Sequence, residues 1–203
     1  MSNPAVLHRA TLYDVGIWLL TLGRERRFRE RLLAPARLRP GEAVLDVGCG
    51  TGTLAMLARQ QVGAAGVVAG IDASPEMIAR ARSKASKARL DIRFETASAD
   101  ALPFPNAHFD AVLCTVALHH LPRAVRSAAV AEMARVLKPA GRVFLADFVF
   151  GHKHSVVGLL HHQHGLRPNA LTELAEAAGL RVAERGSIGK WDLEYVVARA
   201  GGS

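Results

Sequence analysis

Three glycines at alternating positions follow the apolar run Ala43-Val44-Leu45-Asp46-Val47, in the string Gly48-Cys49-Gly50-Thr51-Gly52. A loop of this kind between a strand and a helix lets a ligand press against bare backbone. Its spacing excludes two common nucleotide loops. The dinucleotide fingerprint Gly-x-Gly-x-x-Gly needs glycine where this chain has Thr53. A P-loop needs Gly-Lys-Ser/Thr, whereas Gly189-Lys190 is followed by Trp191. About twenty residues beyond the loop Asp72 ends the next apolar run, where a carboxylate accepts hydrogen bonds from both hydroxyls of a ribose. Asp100, in Ser98-Ala99-Asp100-Ala101-Leu102-Pro103-Phe104, is placed to accept from the amino group of an adenine. Asp46, Asp72 and Asp100 all fall at or near the carboxyl ends of successive strands, so one adenosine-bearing ligand could engage all three.

Histidines are the other reactive group. His119 and His120 lie just past the fourth apolar run, and either suits a general base if an acceptor must lose a proton; packing or capping is the alternative. A second group, from His152 to His164, follows the fifth run and reads either as a loop that contacts substrate or as a plain solvent-exposed stretch. His161 and His164 would share a helix face, as metal ligands do, but no carboxylate lies close to them and no metal is expected.

These residues need a scaffold, and from about residue 41 short β-branched runs alternate with helical segments. Strands are expected at 43–47, 66–71, 91–95, 109–114 and 141–147, with helices at 53–61, 75–88 and 124–137. Ser74-Pro75-Glu76 opens the second helix with a capping residue and a proline at the first helical position. A helix over 168–178, ended by Gly179, leads to runs at 180–184 and 193–198 that read as a terminal hairpin. Several runs are apolar throughout, as in a parallel sheet buried on both faces. The first 40 residues are helical in pattern and end at Arg39-Pro40-Gly41.

With 203 residues, 50% of them hydrophobic and 22% charged, the chain is of one-domain size, too apolar for disorder and without an apolar run of about 18 residues. Cys49 and Cys114 are far apart, and Met1-Ser2-Asn3-Pro4 lacks the pattern of a signal peptide, so a cytoplasmic protein without disulfides is expected. The formal charge of +8 invites an anionic partner. Its densest part, Arg24 to Arg31, interleaves glutamates and sets Phe28, Leu32 and Leu33 at helical spacing, which describes a solvated helix with an apolar underside.

Four segments taken in order resemble the class I, seven-stranded S-adenosylmethionine-dependent methyltransferases. They are Val44 to Gly52, Gly70 to Met77, Ser98 to Phe104, and Phe109 to Leu113 with Leu118-His119-His120-Leu121. The resemblance implies a doubly wound α/β sheet of order 3-2-1-4-5-7-6, mostly parallel with its last strand antiparallel. It implies S-adenosylmethionine as cofactor. Gly48, Cys49, Gly50, Thr51 and Gly52 would receive the amino-acid part of the cofactor, and Asp46 its amino group. Asp72 would take the ribose, Ala73 and Met77 the adenine faces, Asp100 and Ala101 the adenine edge, and Thr115 and Val116 would border the transferred methyl.

Tyr13-Asp14 and the helices to Leu38 resemble the N-terminal lid of the small-molecule branch, similar to ubiquinone and menaquinone biosynthesis enzymes and bacterial phospholipid N-methyltransferases. Residues 1–40 are therefore expected as a lid and 41–203 as the cofactor-binding domain. The chain differs from the quinone enzymes in its length and in the stretch after the fourth strand. That stretch, Cys114-Thr115-Val116-Ala117, has no Asn/Asp-Pro-Pro-Tyr/Phe tetrapeptide, so nucleobase amino methylation is excluded; it has no aspartate for a catechol-type magnesium site either. The expected activity is methyl transfer to O, N or C of a small organic or lipid-like acceptor, with no nucleic acid as partner and peripheral membrane contact allowed. The alternatives are a non-catalytic S-adenosylmethionine-binding protein and a nucleotide-dependent oxidoreductase.

Overall fold

The computed structural model describes residues 25–149, 166–189 and 193–201. Helix α1 (Glu25–Leu33) and a 3-10 turn (Ala34–Ala36) precede strand β1 (Ala43–Val47), helix α2 (Thr53–Val62), β2 (Val67–Asp72), α3 (Pro75–Lys87) and β3 (Arg93–Thr96). There follow β4 (Phe109–Thr115), a 3-10 turn (Leu118–His120), α4 (Arg123–Val136), β5 (Leu137–Phe148), α5 (Ala170–Ala177), β6 (Leu180–Ser187) and β7 (Leu193–Ala200). The seven strands form one sheet in the order β3-β2-β1-β4-β5-β7-β6. β1, β2, β3, β4 and β5 pair in parallel, and β7 runs antiparallel to both β5 and β6.

Strand alternation sorts the apolar side chains onto two faces. Leu45, Val47, Val112, Cys114 and Leu145 pack with Met133 of α4 and Leu171 of α5. Val44, Val68, Leu113 and Phe144 pack on the other face with Leu32 and Leu33 of α1, Leu54 of α2 and Ile78 of α3. Asp46, two residues after Val44, points to this second face. Ser74 caps α3 as its type predicts, its Oγ accepting from Met77 N at 3.3 Å.

β3 starts two residues later and β6 ends three residues later than the periodicity predicts, and two further boundaries depart from it for a visible reason. β5 starts at Leu137, four residues before Gly141, because Leu137 pairs with Phe109 ahead of a register shift that Pro139, lacking an N–H, cannot bridge. α5 starts at Ala170 rather than 168, since Asn169 is in the left-handed region with φ +63° and breaks the helix there.

The amino ends of β1, β4 and β5 are tied by charge. Arg142, nearly buried, donates to Glu42 Oε1 at 2.9 Å and Oε2 at 2.7 Å, to Arg37 O at 2.8 Å and to Ala36 O. Asp110 Oδ2 accepts from Ala43 N and from Lys138 Nζ, both at 2.8 Å. Burial alone would raise the Glu42 carboxyl, but the hydrogen bonds from Arg142 and from Arg39 N hold it below its ordinary value of 4.5. Its stabilisation is therefore present at neutral pH and lost as pH falls below that value. Arg142→Ala strands Glu42 and the carbonyls of Ala36 and Arg37, and urea unfolding should show a loss of about 3–5 kcal/mol. Arg167→Ala, which opens an exposed pair with Glu173, should leave the same midpoint unchanged.

Candidate cofactor and acceptor site

The glycine loop folds back on its neighbour strand. Gly48 N and Cys49 N both donate to Ile71 O at 2.9 Å, Gly52 N donates to Cys49 O at 2.9 Å, and Gly50 N donates to Asp72 Oδ2 at 2.9 Å. Asp72 Oδ1 accepts from Ser74 N at 2.9 Å, so the carboxylate is held in place by the backbone on both sides. A Cβ on Gly48 would lie 2.6 Å from Ala117 Cβ, and one on Gly52 would lie 2.8 Å from Phe94 Cζ. Both glycines are thus required by the packing of the protein itself. Gly50, with φ +53° and nothing within 4 Å of a built Cβ, is the one that faces open space.

Beneath this loop Asp46 is buried, and among the described residues its Oδ2 has no hydrogen-bond partner. Burial raises its carboxyl from 3.8 to about 7; the Arg29 guanidinium on α1 opposes that rise and the Asp72 charge adds to it. Burial also pushes the Cys49 thiol far up, with Asp46 and Asp72 adding to the effect, so this cysteine is an inert packing group. A cationic ligand group would satisfy Asp46. The ammonium of S-adenosylmethionine fits that need, and the aspartates at 46, 72 and 100 are the donor-seeking set that an amino acid, a ribose and an adenine call for.

The segment carrying Asp100 and Ala101 is pinned from α4. Glu132 Oε2 accepts from Leu102 N at 2.8 Å, while Arg135 donates to Leu102 O at 3.1 Å and to Phe104 O at 2.9 Å. Asp100 itself is exposed and accepts from Ser98 Oγ. Ala73 is exposed and Met77 half-buried, at the start of α3.

At the carboxyl end of β4, Thr115 is half-buried and Val116 has φ +53°. That conformation strains a β-branched residue, and Val116 N is held in it by donating to Ala146 O at 2.8 Å. The chain then turns through Leu118–His120. His119 Nδ1 lies 2.6 Å from Asp147 Oδ1, and His119 N donates to Asp147 Oδ2 at 3.0 Å. Asp147 also accepts from Phe148 N at 2.8 Å and is fully buried. His120 is exposed, its ring centroid 3.8 Å from that of His119. Burial separates the two histidines, His119 lying inside and His120, the one weighed as a base from the sequence, outside. Asp147 went unnoticed as a site residue, although an aspartate closing a buried apolar strand next to the strand bearing the histidines was a signal. Tyr13, His161 and His164 lie outside the described residues.

A protein-family profile described as a methyltransferase domain matches residues 44–141, the span from β1 to the start of β5. Residues 44–141 form a domain of the S-adenosylmethionine-dependent methyltransferase family. The chain is 40% identical over 139 residues to the demethylmenaquinone methyltransferase of Thermus thermophilus, covering 68% of this chain and 62% of that protein. It is 41% identical over 125 residues to the 27-O-demethylrifamycin SV methyltransferase of Amycolatopsis mediterranei, covering 61% of this chain and 44% of that protein. A SAM dependent methyltransferase from Aquifex aeolicus has the same fold, with a TM-score of 0.67 and 25% identity over 84% of this chain and 88% of that one. The chain therefore spans about three fifths of the length of the first curated relative and less than half of the second.

The raised Asp46 carboxyl has two consequences of opposite sign. The ligand-free fold should lose stability as pH rises from 3.8 to about 7 and level off above that, because the native state holds the proton longer. Cofactor affinity should instead fall as pH drops below about 7, by up to about tenfold per pH unit, because a protonated Asp46 cannot neutralise an ammonium. Calorimetry between pH 5.5 and 8.5 checks this, with roughly one-unit steps. Asp46→Asn should flatten the profile and raise the melting temperature of the ligand-free protein at pH 8. Asp72→Ala should weaken S-adenosylhomocysteine binding by about 1–3 kcal/mol and, by releasing Gly50 and Ser74, also lower the melting temperature.

Proposed function

We propose that this methyltransferase moves a methyl group from S-adenosylmethionine to an O, N or C atom of a small organic or lipid-like acceptor, leaving S-adenosylhomocysteine. The observation that carries the reading is the Asp147–His119 pair beside the carboxyl end of β4, with the exposed His120 ring against it. The cofactor, when bound, supplies an electrophilic methyl group, so the protein need not supply a nucleophile. Its own tasks are to hold the acceptor in line, exclude water and receive a proton.

Asp46, Asp72 and Asp100 bind the amino acid, ribose and adenine, with the strand end at Thr115 and Val116 bordering the reacting methyl. Asp147 accepts from His119 Nδ1–H and His119 N, which locks the Leu118–His120 turn against β5. Arg126 reinforces the lock, donating to His119 O at 3.2 Å and to Leu121 O at 2.9 Å. His119 is thus a positioning residue, and His120 is the base that takes the acceptor's proton. The two curated relatives are named for demethylmenaquinone and 27-O-demethylrifamycin SV, which supports a small organic acceptor here. Residues 1–40 act as the lid, their carboxyl end anchored in the core by Leu32, Leu33 and Ala36. We place the protein in the cytoplasm, where the free thiols of Cys49 and Cys114 persist. Among the described residues no helix is long and apolar enough to cross a membrane.

A panel of phenols, quinols and amines with methyl-deuterated cofactor, read by mass spectrometry, tests the activity. Labelled product from at least one acceptor is expected, and binding of cofactor with no product from any acceptor would leave a non-catalytic binding protein. His120→Ala should lower kcat by about 10²–10⁴ and remove the acidic limb of its pH profile, with the cofactor Kd unchanged. Unaltered turnover would make His120 structural.

A further inference from the structure

Between β3 and β4 the chain runs from residue 97 to 108 without helix or strand, so no ladder of backbone hydrogen bonds fixes the stretch that carries Asp100. Two side chains one turn apart on α4 answer its backbone instead. Leu102 is held on both sides, its N donating to Glu132 Oε2 at 2.8 Å and its O accepting from Arg135 Nη2 at 3.1 Å. Arg135 Nη1 donates to Phe104 O at 2.9 Å and to Asn106 Oδ1 at 2.7 Å. Arg135 Nε and Nη2 donate to Glu132 Oε1 and Oε2 at 2.6 and 2.8 Å. A guanidinium has five N–H donors in a rigid fork, and these bonds use every one of them.

The side chains of Leu102 and Phe104 are buried in the same cluster as Met133 of α4, so the segment is fixed by packing as well as by polar contacts. Asp100, two residues before Leu102, is exposed and accepts from Ser98 Oγ. Where its carboxylate stands therefore depends on where Leu102 is held. A carboxylate on an unfixed loop accepts from any donor, water included, whereas one held in place discriminates between ligands. We propose that Glu132 and Arg135 are positioning residues for base selection: by fixing Leu102 they hold the Asp100 carboxylate where it accepts from an amino group on a purine ring and rejects a ring that presents an oxygen there. The proposal rests on the assignment of Asp100 to the adenine edge. It gives the otherwise structural helix α4 a part in choosing the cofactor's base.

Calorimetry on the full chain compares S-adenosylhomocysteine with S-inosylhomocysteine, in which an oxygen replaces the amino group of the base. The quantity read is the ratio of the two dissociation constants, which does not change with the fraction of a variant that is folded. The wild type should prefer the adenosyl ligand by at least about tenfold, as a charge-assisted hydrogen bond requires, and Asp100→Ala should bring the ratio below about threefold. Glu132→Gln turns an amide donor toward the guanidinium, and Arg135→Lys keeps the charge without the fork; each should also bring the ratio below about threefold, the loss falling on the adenosyl ligand. A ratio unchanged in either variant, whether the two affinities fall together or stay as they are, would make the Glu132–Arg135 pair purely structural and overturn the proposal. If the wild type did not discriminate, or Asp100→Ala left the ratio intact, the Asp100 assignment would fall and the proposal with it.

Discussion

A buried carboxylate oxygen without a hydrogen-bond partner is costly, and among the described residues Asp46 holds one at the carboxyl end of the central strand β1. Much of the surrounding construction follows from keeping it there. The strand on either side of it is paired, to β2 and to β4, so the backbone cannot shift to expose it. The glycine loop that covers it is tied to Ile71 O and to Asp72, and it approaches Ala117 and Phe94 too closely for any side chain at Gly48 or Gly52. Free energy that the ligand-free fold forgoes at Asp46 becomes available when a cation arrives.

The two ends of the sheet treat charge in opposite ways. At the amino ends of β1, β4 and β5, Glu42, Asp110, Lys138 and Arg142 are joined into closed sets of hydrogen bonds. At the carboxyl ends, acids stand at the tips of β1, β2 and β5; their partners are backbone N–H groups and a histidine, and among the described residues Asp46 Oδ2 has none. The first arrangement stiffens the scaffold. The second leaves acceptor capacity facing the ligand, at the side of a parallel sheet where α/β proteins bind. Val116, strained and fixed by Ala146 O, joins the two halves of that site, because the chain must turn there from the cofactor strand toward the histidines.

Elements with a strong local pattern were readable before any coordinates. β1, β2, β4 and β7 follow from apolar β-branched runs, and α3 from its Ser74-Pro75 start, because those signals are carried by consecutive residues. Boundaries were less readable at β5, where pairing with Phe109 extends the strand past what its own residues suggest, and at α5, where one residue in the left-handed region sets the start. Asp46 and Asp72 were readable because they close β1 and β2, whereas Asp100 lies in the segment after β3, which ends at Thr96. Asp147 was not singled out, since its role exists only when β5 lies beside β4 and brings it to His119, 28 residues away in sequence.

Residue types and spacings determined the α/β class, the failure of the dinucleotide and P-loop patterns, and three aspartates at or near strand ends. Those properties are local, and a strand, a turn and a carboxylate at the strand's end are all within a few residues of one another. Tertiary structure alone decided which glycines serve packing and which histidine is buried. Each of these depends on contact between segments far apart in the chain, where burial and charge are set by neighbours that the sequence does not place side by side.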